Sequence, residues 1–243
     1  MLSESDLEKI KGVARILLMT EVHETEFSPA VVQHPFTATG IAYIPQAGEL
    51  QFVDITQSEV VLKLWQDFMS GQISKAKNII GIYSLINKPY GLTFLKYARP
   101  FLSKSDFSKI LCNAWMRSEN PNMDPNLTKT ELLKMFRSAD PATLMTDKER
   151  KCLKELDDEV TVYRGITDYN AKNVKALSWT LNRGTAKWFA TRFGQEGKVY
   201  EAQIEKKHIL ALFLGRGEDE VIVDPKYLQE LKQESVESLQ LTQ

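Results

Sequence analysis

The chain holds 243 residues, with 31 Lys plus Arg against 32 Asp plus Glu and a formal net charge of -1. At 43% hydrophobic and 26% charged residues, with 12 Gly and 9 Pro, it is neither disordered nor collagenous, and it has enough apolar residues to build a core. Basic and acidic residues are divided evenly along it, so no basic half offers a track for a nucleic-acid backbone.

The length fits one large domain or two small ones. The two cysteines, Cys112 and Cys152, and the three histidines, His23, His34 and His208, make no ligand spacing. Structural zinc and a disulfide framework are therefore not expected, and the site is expected to hold no metal. The apolar run Val13 to Met19 lies between acidic flanks, the wrong pattern for a signal peptide. No run reaches the roughly 20 apolar residues that cross a bilayer. A cytoplasmic protein with no membrane partner is the expectation.

In chain order, Ser5 with Glu8 reads as a capping box ahead of Leu7, Ile10, Ala14 and Leu17 at helical spacing. After Glu26, Phe36–Ile44 and Leu50–Ile55 read as two short extended segments around Pro45 and Gly48. A helical stretch is predicted from Ser58 toward Arg99, with Val61, Leu64, Trp65 and Phe68 on one face and Ile79, Ile82, Tyr83 and Ile86 on another. Ser105 announces a helix through Phe107, Ile110 and Trp115, and capping boxes at Thr128 with Glu131 and Thr146 with Glu149 start two more.

From Val160 the period changes. Val160–Tyr163, Val174–Trp179, Val199–Ile204, Ile209–Phe213 and Val221–Val223 are short β-branched or aromatic runs between turn signals. One helix interrupts them, beginning near Thr185, carrying Ala186, Phe189 and Ala190, and stopping at Gly194. From Lys226 a last amphipathic helix is expected. Helices first and strands afterwards make an α+β protein.

Three features lie at the ends of predicted strands. Arg164, followed by Gly165, offers a guanidinium for a phosphate or pyrophosphate beside a glycine that lets backbone approach a ligand. In Ser178-Trp179-Thr180, strand alternation puts the two hydroxyls on one face with Trp179 opposite. In Glu218-Asp219-Glu220, an extended chain would put both carboxylates on one face, where they repel unless a ligand or cation uses them.

In this order the three resemble the Arg-Ser-Glu class of ADP-ribosyltransferases, with its arginine on the first core strand, its Ser-Thr-Ser triplet on the second and its Glu-x-Glu pair before a later strand. The resemblance covers residues 158–225. The middle and last triplet positions differ, being Trp179 and Thr180, and the turn Leu214-Gly215-Arg216-Gly217 is shorter than the acceptor loop of the toxin members. The whole chain also resembles uncharacterised proteins of prophages and Gram-positive bacteria.

The resemblance implies a split β-sheet core at 158–243 behind a helical lobe at 101–157, together an ADP-ribosyltransferase domain over 101–243, with 1–100 a mostly helical region of unassigned role. It implies a mono-ADP-ribosyltransferase with NAD as substrate. Glu220 would stabilise the oxocarbenium-like ribose, Ser178 would hold Glu220 or the ribose, and Arg164 and Arg192 would bind the phosphates. Phe189 would stack on nicotinamide, Gly165 would meet its carboxamide, and Thr180 would belong to the cofactor-binding set. A glutamate at 218 goes in that family with transfer to arginine, which needs a base because its pKa lies above about 12. The expected partner is a macromolecular acceptor, first a protein, with an inhibitor or antitoxin as a further possible partner. Nucleic-acid acceptors, simple NAD hydrolysis, and an inactive mobile-element interaction protein are the alternatives.

Overall fold

The computed structural model of the chain describes residues 2–46, 48–194 and 196–236, and within these it is a mixed helical and antiparallel-sheet protein, as the order of periods predicts. Its contacts divide it into two units, 1–126 and 127–243. The stretch 101–126, which the resemblance groups with the second part, is counted with the first unit.

The first unit begins with α1 (Leu7–Leu18), capped by Asp6, whose carboxylate accepts from the Lys9 N–H at 3.1 Å. Ser5 is not the cap. Its hydroxyl donates to Asp106 at 2.6 Å and accepts from the Ser103 N–H at 2.8 Å, tying the N-terminus to a later helix start. Strands β1 (His23–Thr25), β2 (Ser28–His34) and β3 (Thr37–Thr39) form a small antiparallel sheet, and β4 (Ile41–Gln46) and β5 (Glu49–Asp54) pair as a hairpin. The predicted stretch from Ser58 is broken into α2 (Glu59–Lys75), α3 (Ile79–Tyr83) and α4 (Gly91–Ala98). Asn78 caps α3, and Pro89 sits at the second position of a 3₁₀ turn (Lys88–Tyr90), where its missing N–H costs no helical bond. Helix α5 (Lys104–Arg117) is capped by Ser103 rather than Ser105. Trp65, Phe94, Leu95, Phe107 and Trp115 are buried in this unit.

The second unit opens with α6 (Lys129–Ser138), α7 (Pro141–Leu144) and α8 (Asp147–Glu155). Both capping boxes form as predicted: the threonine hydroxyl accepts from the third helical N–H and the glutamate reaches back to the cap N–H. The strands are β6 (Glu159–Ile166), β7 (Ser178–Thr180), β8 (Gly197–Glu205), β9 (Ile209–Phe213), β10 (Glu220–Val223) and β11 (Gln229–Val236). They make one six-stranded antiparallel sheet in the order β11-β8-β6-β7-β10-β9. Only Tyr163 and Thr180 pair across β6 and β7, so the sheet is barely joined there.

Alternation along the strands sends Val160, Val162, Trp179, Leu212, Val221 and Val223 into one apolar cluster. Tyr163 and Val199 pack on the other side with Ala186 and Ala190 of α9 (Arg183–Thr191). The small alanines, both fully enclosed, let α9 lie close on the strands.

Two predicted elements differ. Of Val174–Trp179 only the end is strand, since Asp168–Asn173 is a 3₁₀ segment and β7 begins at Ser178. The tail predicted as a helix is instead β11, which pairs with β8 as an edge strand, and its continuation past 236 lies outside the described residues. No helix among the described residues is long and apolar enough to cross a membrane.

Candidate functional site

Glu220 is the first residue of β10 and is 4% exposed. It pairs in register with Thr180, which leaves Ser178 diagonal to it, within reach of side chains on the same face. The Ser178 hydroxyl donates to Glu220 Oε1 at 2.5 Å, the length of a strong bond to an ionised acceptor. On the adjacent strand, Arg164 donates through one Nη to the backbone carbonyl of the same Ser178. Three residues from three strands thus meet around Ser178.

Arg164 is held tightly. Its Nε is buried and has no hydrogen-bond partner among the described residues. Burial pushes the guanidinium pKa down to about 10, and the charge of Glu220 opposes that shift, so Arg164 stays protonated at neutral pH. A half-buried cation with an unused buried donor attracts an anion or a strong acceptor.

Two lysines add to the positive charge. Lys129, the first residue of α6, donates to the Lys175 carbonyl. Desolvation lowers its pKa, and repulsion from Arg164 and Lys175 lowers it further. Mutual repulsion of cations is relieved by an anion among them. Neither lysine is marked by any motif in the sequence; only the tertiary contact of the start of α6 with the segment before β7 brings Lys129 in.

The two glutamates do not share a face by simple strand alternation. Glu218 lies outside β10, and Asp219 between them has φ 46°, a left-handed conformation that costs a non-glycine residue of order 1 kcal/mol. One guanidinium joins them instead: Arg216 Nη2 lies 2.8 Å from Glu218 Oε2 and 3.5 Å from Glu220 Oε2. The Arg-x-Glu-x-Glu spacing was the available signal for this contact.

The turn that carries Glu218 is pinned from three sides. Thr180, placed by resemblance at the cofactor, donates its hydroxyl to the Glu218 carbonyl at 2.6 Å and accepts from the Asn182 N–H at 3.0 Å, so it orders backbone. The Leu181 N–H donates to the Asp219 carbonyl at 3.0 Å. Glu149 uses one oxygen for the capping box of α8 and accepts the Leu214 N–H with the other at 2.8 Å. The capping motif announced the first of these bonds but not the second.

Gly165, Phe189 and Arg192 form a separate group around α9. A Cβ on Gly165 would lie 2.1 Å from the Ala186 carbonyl oxygen and 2.7 Å from the Ala190 nitrogen. A glycine is needed here for the close contact with α9, since any side chain would meet helix backbone. Phe189, half-buried, lies edge-on to Trp188 at 4.9 Å, and the Arg192 guanidinium lies 5.2 Å from the Phe189 ring centroid. Gly165 follows Arg164 in β6, which is the covalent link between the two groups.

Comparison of the chain with protein-family models, with curated proteins and with solved structures gives no match in any of the three.

Proposed function

We propose that Arg164, Ser178 and Glu220 form the site of an NAD-dependent mono-ADP-ribosyltransferase. The observation that carries this reading is the buried Glu220 carboxylate, held at 2.5 Å by Ser178, whose own carbonyl is held by Arg164.

The residues fit NAD as substrate by charge and by donor count. The unused Nε of Arg164 and the neighbouring charges of Lys129 and Lys175 suit the oxygens of a pyrophosphate. NAD supplies a cationic nicotinamide leaving group on a ribose. Glu220 is fixed in place before reaction, so it stabilises positive charge developing on that ribose without reorganisation. Ser178 is its positioning partner. Phe189 offers an aromatic face for the nicotinamide, and Arg192, whose guanidinium lies 5.2 Å from that ring centroid, offers a cation for the phosphates. Glu218 then acts as the base toward an incoming guanidinium, and the observation in favour of arginine as acceptor is that Glu218 already holds one, that of Arg216.

The reading is tested with NAD labelled in its adenylate half, incubated with cell lysate and the wild-type protein, Glu218→Gln or Glu220→Gln. The expected result is protease-sensitive, nuclease-resistant label with wild type, lost with either variant. Label that nuclease removes would move the acceptor to nucleic acid. Equal labelling by wild type and Glu220→Gln would refute the site.

A further inference from the structure

We propose that Arg216 is an acceptor for the site in the same molecule: it occupies the seat of the acceptor guanidinium and is ADP-ribosylated in cis. This rests on the NAD-cleaving reading of Glu220 and Ser178.

The geometry begins with the turn from Leu214 to Glu220. Its first residue is anchored by Glu149, its Gly217 N–H closes a turn onto the Leu214 carbonyl at 3.0 Å, and Glu218 and Asp219 are held by Thr180 and Leu181. Gly217 at φ 67° and Asp219 at φ 46° bend the chain so that Arg216 folds back over the residues that follow it. The anchors leave Arg216 between fixed points, with its guanidinium bridging both carboxylates of the site and its side chain 34% exposed.

That position has a chemical consequence. The 2.8 Å contact with Glu218 is the contact an acceptor guanidinium needs with its base. The 3.5 Å approach to Glu220 puts the same nitrogen beside the carboxylate that serves the ribose. An intramolecular nucleophile so placed competes at a high effective concentration with any acceptor in solution.

The step balances as follows. Glu218 takes one proton from the Arg216 guanidinium, and the freed nitrogen lone pair bonds the ribose anomeric carbon. The bond from that carbon to nicotinamide breaks, and its electron pair leaves with nicotinamide as a neutral molecule. The products are Arg216 carrying ADP-ribose, nicotinamide, and the proton released to solvent from Glu218. No oxidant or further reactant enters.

The test uses the purified full chain with labelled NAD, following nicotinamide release and mapping the adduct by peptide fragmentation. A second tube mixes wild type with a tagged Glu220→Gln chain, which still carries Arg216 but has lost the proposed activity. The expected result is ADP-ribose on Arg216 of the wild-type chain, none on the tagged chain, and loss of that adduct in Arg216→Lys. Nicotinamide release with no adduct on Arg216 overturns the inference and leaves the NAD-cleaving reading standing. Modification of Arg216 on the tagged chain overturns the cis assignment. Absence of nicotinamide release overturns the inference together with the reading beneath it.

Discussion

Ser178 and Glu220 sit diagonally across the β7–β10 pair, and the serine hydroxyl donates to the buried carboxylate at 2.5 Å. This bond fixes the orientation of the carboxylate. Ser178→Ala removes the donor. Nicotinamide release is expected to fall about ten- to a hundredfold, in line with loss of a well-placed hydrogen bond worth about 1.5–3 kcal/mol. An unchanged rate of nicotinamide release would mean that Ser178 does not position Glu220.

Glu149 connects a helix start to the turn before the glutamate pair. Glu149→Ala is expected to cost about 1–2 kcal/mol in urea unfolding, from the lost cap and the orphaned Leu214 N–H. It should also reduce transfer to an added guanidine more than it reduces NAD hydrolysis, since the turn carries Glu218. Equal losses in both would show that the cap is only structural.

Two glycines give a contrast in stability. Gly165→Ala drives a methyl to 2.1 Å from the Ala186 carbonyl and is expected to cost about 3 kcal/mol or more, because the obstacles are backbone. Gly194→Ala meets nothing within 4 Å but sits at φ 70°, so the cost is about 1 kcal/mol of conformational strain. Similar unfolding midpoints for the two would contradict the close contact of α9 with β6.

In the first unit, His34 is fully enclosed, its Nδ1 accepts from the Phe36 N–H at 3.1 Å, and its ring meets Trp65 edge-on at 5.2 Å. Burial pulls its pKa from 6.5 down to about 4, against the opposing effect of backbone at Leu18 and Thr20. The folded pKa lies below the unfolded one, so as pH falls the unfolded chain takes the proton first. Stability is therefore full above pH 6.5 and declines toward pH 4, by roughly 3 kcal/mol at most. His34→Gln is expected to flatten this part of the pH–stability curve in urea titrations, and an unchanged slope would assign the acid sensitivity to other groups.

Much of the second unit can be read from its residues. Ser178 and Glu220 stand at strand ends as the period-2 runs predict, Arg164 lies in a strand that runs past its predicted end to Ile166, and the Thr-x-x-Glu boxes at 128 and 146 form because each is a local exchange of two hydrogen bonds. What escaped the sequence depends on distant partners. Gln229–Val236 is almost entirely exposed and rich in Gln, Glu and Lys, a helix-like composition, yet its backbone bonds go to β8 and make it a charged edge strand. Ser5 fits a cap by spacing but is taken by Ser103 and Asp106 from far along the chain. Lys129 comes near Arg164 only through the contact of the start of α6 with the segment before β7, and the packing of α9 on Gly165 has no signal in the local sequence.

The central claim is that Glu220, held by Ser178 and set beside Arg164, breaks the bond between nicotinamide and ribose. The most direct measurement is nicotinamide release from NAD by the purified chain, wild type against Glu220→Gln, with NAD binding followed in parallel by calorimetry. The account predicts release by wild type, a loss of at least a hundredfold in Glu220→Gln, and NAD binding by both proteins. Nicotinamide release at the same rate from both, or no NAD binding by wild type, would contradict it.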